Sequence, residues 1–435
     1  MYIDPGTGGM LFTIIFGLLG GLFYFAGTLL VKLKYTVGGK GKAVDTKKIP
    51  IVFFSDHKRY FNTFEPILDE MDRRGIEVKY LTMSEDDPGL TKEYKHITGE
   101  FIGTGNKAFS RLNLLNAGIV FCTTPGLDVL MWKRSKNVDY YIHIPHAAND
   151  ITLYRMFGID FFDSILLPGE FHGDQVRKME EMRGLPVKEL TVVGVPYLDG
   201  MKKRLDAEGA VVEKDKKTVL VAPSWGESGI LRRYGSKLID ALLSTGYEII
   251  IRPHPQSFTA EKEYMDELME KYGESSGVKW NRDNDNFDVL KRADIMISDF
   301  SGVVVDFALV FDKPIIYADV SFDAAPYDQA WFEEELWTFK FMREIGLQLS
   351  EDQFDHIKDI IDECLSSEKF SAAREKARGE CWANIGHSAE KIADYLVEKQ
   401  EELKKKKEDE AAALSESSKS KKKTKKEADS AEVAK

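Results

Sequence analysis

The stretch Ala293-Asp294-Ile295-Met296-Ile297-Ser298-Asp299-Phe300-Ser301-Gly302-Val303-Val304-Val305-Asp306 decides the fold. Four residues that fit a buried strand run into a polar turn, and an apolar helix leaves from it, as in one βα step of an open parallel sheet. Backbone N–H groups at the start of that helix have no partner within the helix and carry the positive end of its dipole, so the turn suits an anion. Ser298, Asp299, Ser301 and Gly302 are therefore candidate phosphate contacts. Asp306, one helical turn beyond Gly302, is a candidate for an attached ribose.

The same alternation extends outward in both directions. Strands are expected at Ile49–Ser55, Glu77–Thr82, Gly118–Thr123, Tyr140–Ile144, Ser164–Leu167 and Leu190–Val193. After the polar segment Asp206–Lys217 a second series follows at Thr218–Ala222, Glu248–Arg252, Ile295–Ser298 and Pro314–Tyr317. Two Rossmann-like α/β domains are thus expected, at 47–212 and 213–400, facing a cleft at the carboxyl ends of their strands. Two more candidates fall on that edge. Arg252-Pro253-His254-Pro255 ends a strand, and its prolines fix the turn so that Arg252 and His254 can meet phosphate oxygens. In the first domain His146 follows the strand of Tyr140–Ile144 and is the candidate general base. His143 lies inside that strand, where an HxxH spacing does not make two rings converge on a metal. Asp283-Asn284-Asp285-Asn286 lacks the glycine and terminal glutamate of a calcium loop and reads as a polar cap before a helix at Phe287–Lys291.

Charge and length narrow the classes further. The 435 residues carry 60 Lys plus Arg against 72 Asp plus Glu, a formal charge of −12, which argues against a sequence-independent nucleic-acid binder. Residues 401–435 hold 11 lysines and 9 acidic residues in low-complexity sequence and read as a disordered tail. Three widely spaced cysteines fit neither a disulfide framework nor a zinc site, and suit a reducing compartment. Met10–Val31 runs 22 residues without a charge, long enough for one transmembrane helix, and Lys32, Lys34, Lys40 and Lys42 follow it. By the positive-inside rule residues 1–46 are expected to form an uncleaved single-pass anchor and linker in the cell membrane, with both domains on the cytoplasmic side, and a hydrophobic hairpin dipping into one leaflet is the alternative.

Taken in order, the strand-end His146, Val193-Gly194-Val195-Pro196, Leu220-Val221-Ala222-Pro223-Ser224-Trp225, Arg252-Pro253-His254-Pro255 and Ser298-Asp299-Phe300-Ser301-Gly302 resemble the CDP-glycerol glycerophosphotransferase family of teichoic acid polymerases and primases, over roughly 47–322. The resemblance implies the glycosyltransferase type B fold, a CDP-linked polyol donor on the second domain, and a lipid-linked or membrane-proximal acceptor on the first. It implies a metal-independent transfer with no cofactor, with His146 as base and His254 and the Ser301–Val303 helix start holding the pyrophosphate. Trp225 and Arg232 become possible donor contacts, with Arg233 and Lys237 beside them. The family usually shows Trp-His-Gly-Thr where this chain has Pro145-His146-Ala147-Ala148, and a second Ser at Gly302. A CDP-ribitol donor, a nucleotide-sugar glycosyltransferase, a relative of the UDP-sugar 2-epimerases and a non-catalytic membrane adaptor stay open as alternatives.

Overall fold

The structure, a computed structural model, describes residues 48–209, 214–283, 285–318 and 322–432. The first sheet contains β1 (Ile49–Ser55), β2 (Val78–Thr82), β3 (Ile97–Phe101), β4 (Ala117–Cys122), β5 (Val138–His143), β6 (Ser164–Leu167) and β7 (Glu189–Val192). They run parallel in the order β3-β2-β1-β4-β5-β6-β7. The second contains β8 (Thr218–Val221), β9 (Glu248–Ile251), β10 (Val278–Trp280), β11 (Ile295–Ser298), β12 (Ile315–Ala318) and β13 (Gly346–Leu349), parallel in the order β10-β9-β8-β11-β12-β13.

Both sheets are buried on both faces, which is why their strands read as continuous apolar runs. In β1 and β4, Ile51, Phe53, Ile119 and Phe121 face one core while Val52, Phe54, Val120 and Cys122 face the other. Phe53 and Phe121 meet edge to face with centroids 4.8 Å apart. In the second sheet Leu220, Ile250, Met296 and Ile315 share one face, and Val221, Ile251, Ile297 and Ile316 the other. The order reverses beside β1 and again beside β8, so crevices open where the loops after β1, β4, β8 and β11 diverge. All three cysteines are free and buried.

Three expectations change. The edge strands β3, β10 and β13 have no counterpart in the sequence reading, because each is short and partly exposed, with polar residues where a buried strand would be apolar. The chain also returns to the first domain at its end, so the boundary at 400 does not divide the cores. Ile392, Ala393 and Leu396 of the helix Ser388–Glu432 pack against the face that holds Phe53 and Phe121, and the Tyr395 hydroxyl bonds the Ser164 Oγ at 2.7 Å. Finally, residues 401–432 are helical rather than disordered. Docking of the first turns supplies the nucleus, Leu403 extends the apolar contact, and the Lys, Glu and Ala that follow are strong helix formers. The membrane span expected at 10–31 lies outside the described residues. Among the described residues no helix is long and apolar enough to cross a membrane.

The return is locked by close backbone approach. Gly194 has φ +97°, and a Cβ there would lie 2.1 Å from the Ala383 carbonyl oxygen, so only glycine fits. Leu396 is fully buried, and Leu396→Ala is expected to cost about 2–5 kcal/mol. A clear drop in melting temperature checks this; an unchanged transition would show that the terminal helix is not part of the first domain's core.

Candidate active site

The turn after β11 is built by Asp299, which is almost wholly buried. Its carboxylate accepts from the N–H groups of Ser224 at 2.8 Å, Ile230 at 2.9 Å and Ser301 at 3.2 Å. Ser298 donates its hydroxyl to the Ala222 carbonyl at 2.6 Å. These two residues, expected to touch phosphate, are instead committed to joining the loop after β8 to the turn after β11. Burial pushes the Asp299 carboxyl up, and the three N–H donors oppose that rise. Ser301 and Gly302 are left at the open start of the helix Val303–Val310, which no side chain caps.

Asp306, partly buried one turn along that helix, is pushed up to about 7 by desolvation, which the neighbouring Tyr197 hydroxyl opposes. Tyr197 also reaches Asn286 at 3.1 Å. Arg252 bonds Asn281 and lies within electrostatic reach of Tyr197, Asp283 and Asp285. Asp285 caps the Phe287 N–H at 3.0 Å, as expected of a polar cap. Arg252, Tyr197 and Asp306 thus line one side of the second-domain crevice. Arg232 belongs elsewhere: Glu227 takes its guanidinium at 3.1 Å and the Tyr264 ring lies beneath it. Arg233 lies over the Tyr234 ring and Lys237 pairs with Glu351, both on the surface.

His254 accepts the Gln256 N–H through Nδ1 at 3.1 Å, which leaves its proton on Nε2 as a donor. Trp225 stands beside it with ring centroids 6.5 Å apart. Across the cleft, His146 packs on Tyr60 at 4.9 Å, and its Nδ1 is shut from solvent without a partner. Desolvation, aided by the charge of Arg59, holds His146 and His254 each down at about 4. Arg59, on the loop after β1, therefore reaches one histidine from each domain. It is exposed, bonds the Tyr60 hydroxyl at 2.8 Å, and makes no ion pair among the described residues. His143 lies beside His146, with its Nε2 2.9 Å from the Tyr154 hydroxyl.

Among the described residues, most of the buried polar atoms without partners gather at the same place, Arg183 Nε and Asp328 Oδ2 being the exceptions. Thr123 Oγ1, His143 Nδ1, His146 Nδ1, Asn149 Oδ1 and Ser224 Oγ all lie at or just beyond strand carboxyl ends on the two facing sheets. Such atoms are costly unless a ligand or water meets them. The sequence reading assigned no role to Arg59, Tyr197 or Asn149. Position relative to the strand ends was the available signal: Arg59 comes four residues after β1, and Tyr197 directly follows the Val193–Pro196 motif.

Asp306 generates a stability prediction. The folded state keeps its proton to about pH 7 while the unfolded chain loses it near 4, so the folded form binds more protons in that window and stability falls as pH rises through it. Asp306→Asn should therefore gain melting temperature over the parent progressively from pH 4 to 7, with a constant gain above. Equal gains at pH 4.5 and 8 would contradict the assignment.

Known proteins resemble the chain in sequence and in fold. The family model described as CDP-Glycerol:Poly(glycerophosphate) glycerophosphotransferase matches residues 174–398, just over half of the chain, and begins after His146. A curated relative, the teichoic acid glycerol-phosphate primase of Bacillus spizizenii, is 26% identical over 171 residues, covering 38% of this chain and 42% of that protein's length. The fold is similar to that of the wall teichoic acid polymerase TagF, with TM-score 0.53, 16% identity, and coverage of 88% of this chain and 98% of that one. It is similar too to the UDP-GlcNAc 2-epimerase of Methanocaldococcus jannaschii, with TM-score 0.52, 13% identity, and coverage of 81% and 99%. With Arg252, His254 and the whole Ser298–Asp306 turn inside the matched residues, the chain belongs to the CDP-glycerol:poly(glycerophosphate) glycerophosphotransferase family.

Proposed function

We propose that this protein transfers glycerol phosphate, or a similar polyol phosphate, from a CDP-linked donor to a hydroxyl of a lipid-linked acceptor at the cytoplasmic face of the cell membrane, in synthesis of a teichoic-acid-like polymer. The observation that carries the reading is the placement of His146 and His254 on opposite sides of one cleft, both under the charge of Arg59, with the open helix start at Gly302 beside them. Membrane attachment rests on the uncharged run 10–31 and the lysines after it.

In this reaction the acceptor hydroxyl gives its proton to His146 Nε2 while its oxygen bonds to the β-phosphorus. The bond from that phosphorus to the bridging oxygen breaks, and CMP leaves with the electron pair. His254 Nε2–H and the N–H groups at the start of the Val303–Val310 helix meet the growing charge on the departing phosphate. Phosphoryl transfer depends on alignment and charge stabilisation more than on covalent help, which suits this set of groups. Arg252, Tyr197 and Asp306 are placed for the nucleoside end of the donor; Asp306, pushed up to about 7, accepts from a ribose hydroxyl in either form and donates to one while protonated.

The full chain with CDP-glycerol and a membrane acceptor fraction should release CMP, and His254→Ala should slow release about 10²-fold or more. Normal turnover in that variant would remove His254 from the mechanism, and turnover of UDP-sugars alone would replace the donor. His146 works only when neutral, so kcat/KM should stay level from pH 8 to about 5 and fall with an apparent pKa near 4. Arg59→Ala withdraws a positive charge and should move that acid limb upward in pH. An acid limb at 6.5 that Arg59→Ala leaves in place would contradict the electrostatic account.

A further inference from the structure

We infer that Asn149 reads the hydroxyl-bearing group that the enzyme transfers, and so sets which donor the cleft accepts; the inference rests on the transferase reading above. Asn149 belongs to the first domain, three residues after His146, yet its amide lies against the second domain's anion turn. A Cβ at Gly302 would stand 3.5 Å from Asn149 Oδ1 and 3.7 Å from Nδ2. The amide therefore stands within van der Waals reach of the helix start.

The backbone that carries the amide is held in place. The Asn149 carbonyl meets His172 Nε2 at 3.1 Å, and the neighbouring Asp150 carboxylate accepts from the Trp337 and Thr338 N–H groups, each at 2.8 Å. Nothing comparable engages the side chain: Oδ1 is sealed from solvent and has no hydrogen-bond partner. A carboxamide oxygen can only accept. Phosphate oxygens flanking a pyrophosphate bridge carry no proton at neutral pH and cannot satisfy it, and they are the natural guests of the helix N–H groups beside it. A hydroxyl can donate to Oδ1 and accept from Nδ2, and the part of a CDP-linked polyol that bears free hydroxyls next to the β-phosphate is the transferred group itself. A site that holds a buried acceptor for a substrate hydroxyl also discriminates against ligands that lack it, because the acceptor then stays unpaired.

The test is calorimetric titration of the full-length protein with CDP-glycerol and with CDP, which shares the nucleotide and pyrophosphate but has no polyol. The parent should bind CDP-glycerol more tightly, and Asn149→Ala should weaken CDP-glycerol about tenfold while leaving CDP unchanged. Asn149→Leu keeps the shape of the side chain without its polar atoms and should behave the same way, which separates lost recognition from lost packing. Equal weakening of both ligands in the two variants, or no change for either, would overturn the role of Asn149 while leaving the transferase reading intact. Failure of the parent to bind either ligand would overturn both.

Discussion

The buried carboxylate of Asp150 is the constraint on which the site depends. It accepts two backbone N–H groups and the Thr338 hydroxyl at the start of the helix Trp337–Ile345, and a further bond from Gln175. One first-domain side chain thereby caps a second-domain helix. Charge-assisted bonds of this kind out of water are strong, and leaving such a carboxylate unmatched would be costly. A second tie lies nearby, where Arg183 pairs with Asp160 at 2.6 Å and with Asp328 at 2.5 Å, all three nearly sealed from solvent. Because Asp150 closes the loop that begins at Pro145, these contacts fix where His146 and Asn149 stand relative to the turn after β11.

The electrostatics of the cleft follow from that closeness. The protein as a whole is acidic, yet its cleft gathers Arg59, Arg252, a helix N-terminus and two histidines kept neutral. In the proposed transfer both rings act in the neutral form, one taking a proton from an acceptor hydroxyl and the other, with its proton on Nε2, donating to a phosphate. The same burial that lowers the histidines raises Asp306, so one cause sets three protonation states that a cluster of exposed groups would not reach. Asp299 illustrates the complementary use of a carboxylate, as a brace whose charge is consumed by backbone donors.

Much of this was legible in the sequence. Central strands such as β1, β8 and β11 are buried on both faces, so their apolar runs declared themselves, and the turns after them directed attention to His146, His254 and Ser301–Gly302. Of the four edge strands, β7 was read from its Leu190–Val193 run, whereas β3, β10 and β13 were missed because each is short and mixes polar, partly exposed residues with its apolar ones. The return of Ser388–Glu432 to the first domain was invisible, since an apolar stripe such as Ile392, Ala393 and Leu396 fits either sheet and only three-dimensional closure selects one. Ser298 and Asp299 were given phosphate because residue type and turn position cannot tell a brace from a contact. Arg59 and Asn149 carry no motif of their own; they matter through what the fold places opposite them.

The central claim is that one cleft binds the donor's nucleotide and pyrophosphate on the second domain and presents its β-phosphorus to His146 of the first. A crystal structure of the full-length protein with CDP-glycerol tests it most directly. The account predicts phosphate oxygens on the N–H groups at Gly302–Val303 and on His254 Nε2, the ribose against Asp306 and Tyr197, and His146 Nε2 facing the glyceryl phosphate. Donor density elsewhere, or phosphates remote from the Val303–Val310 helix start, would contradict it.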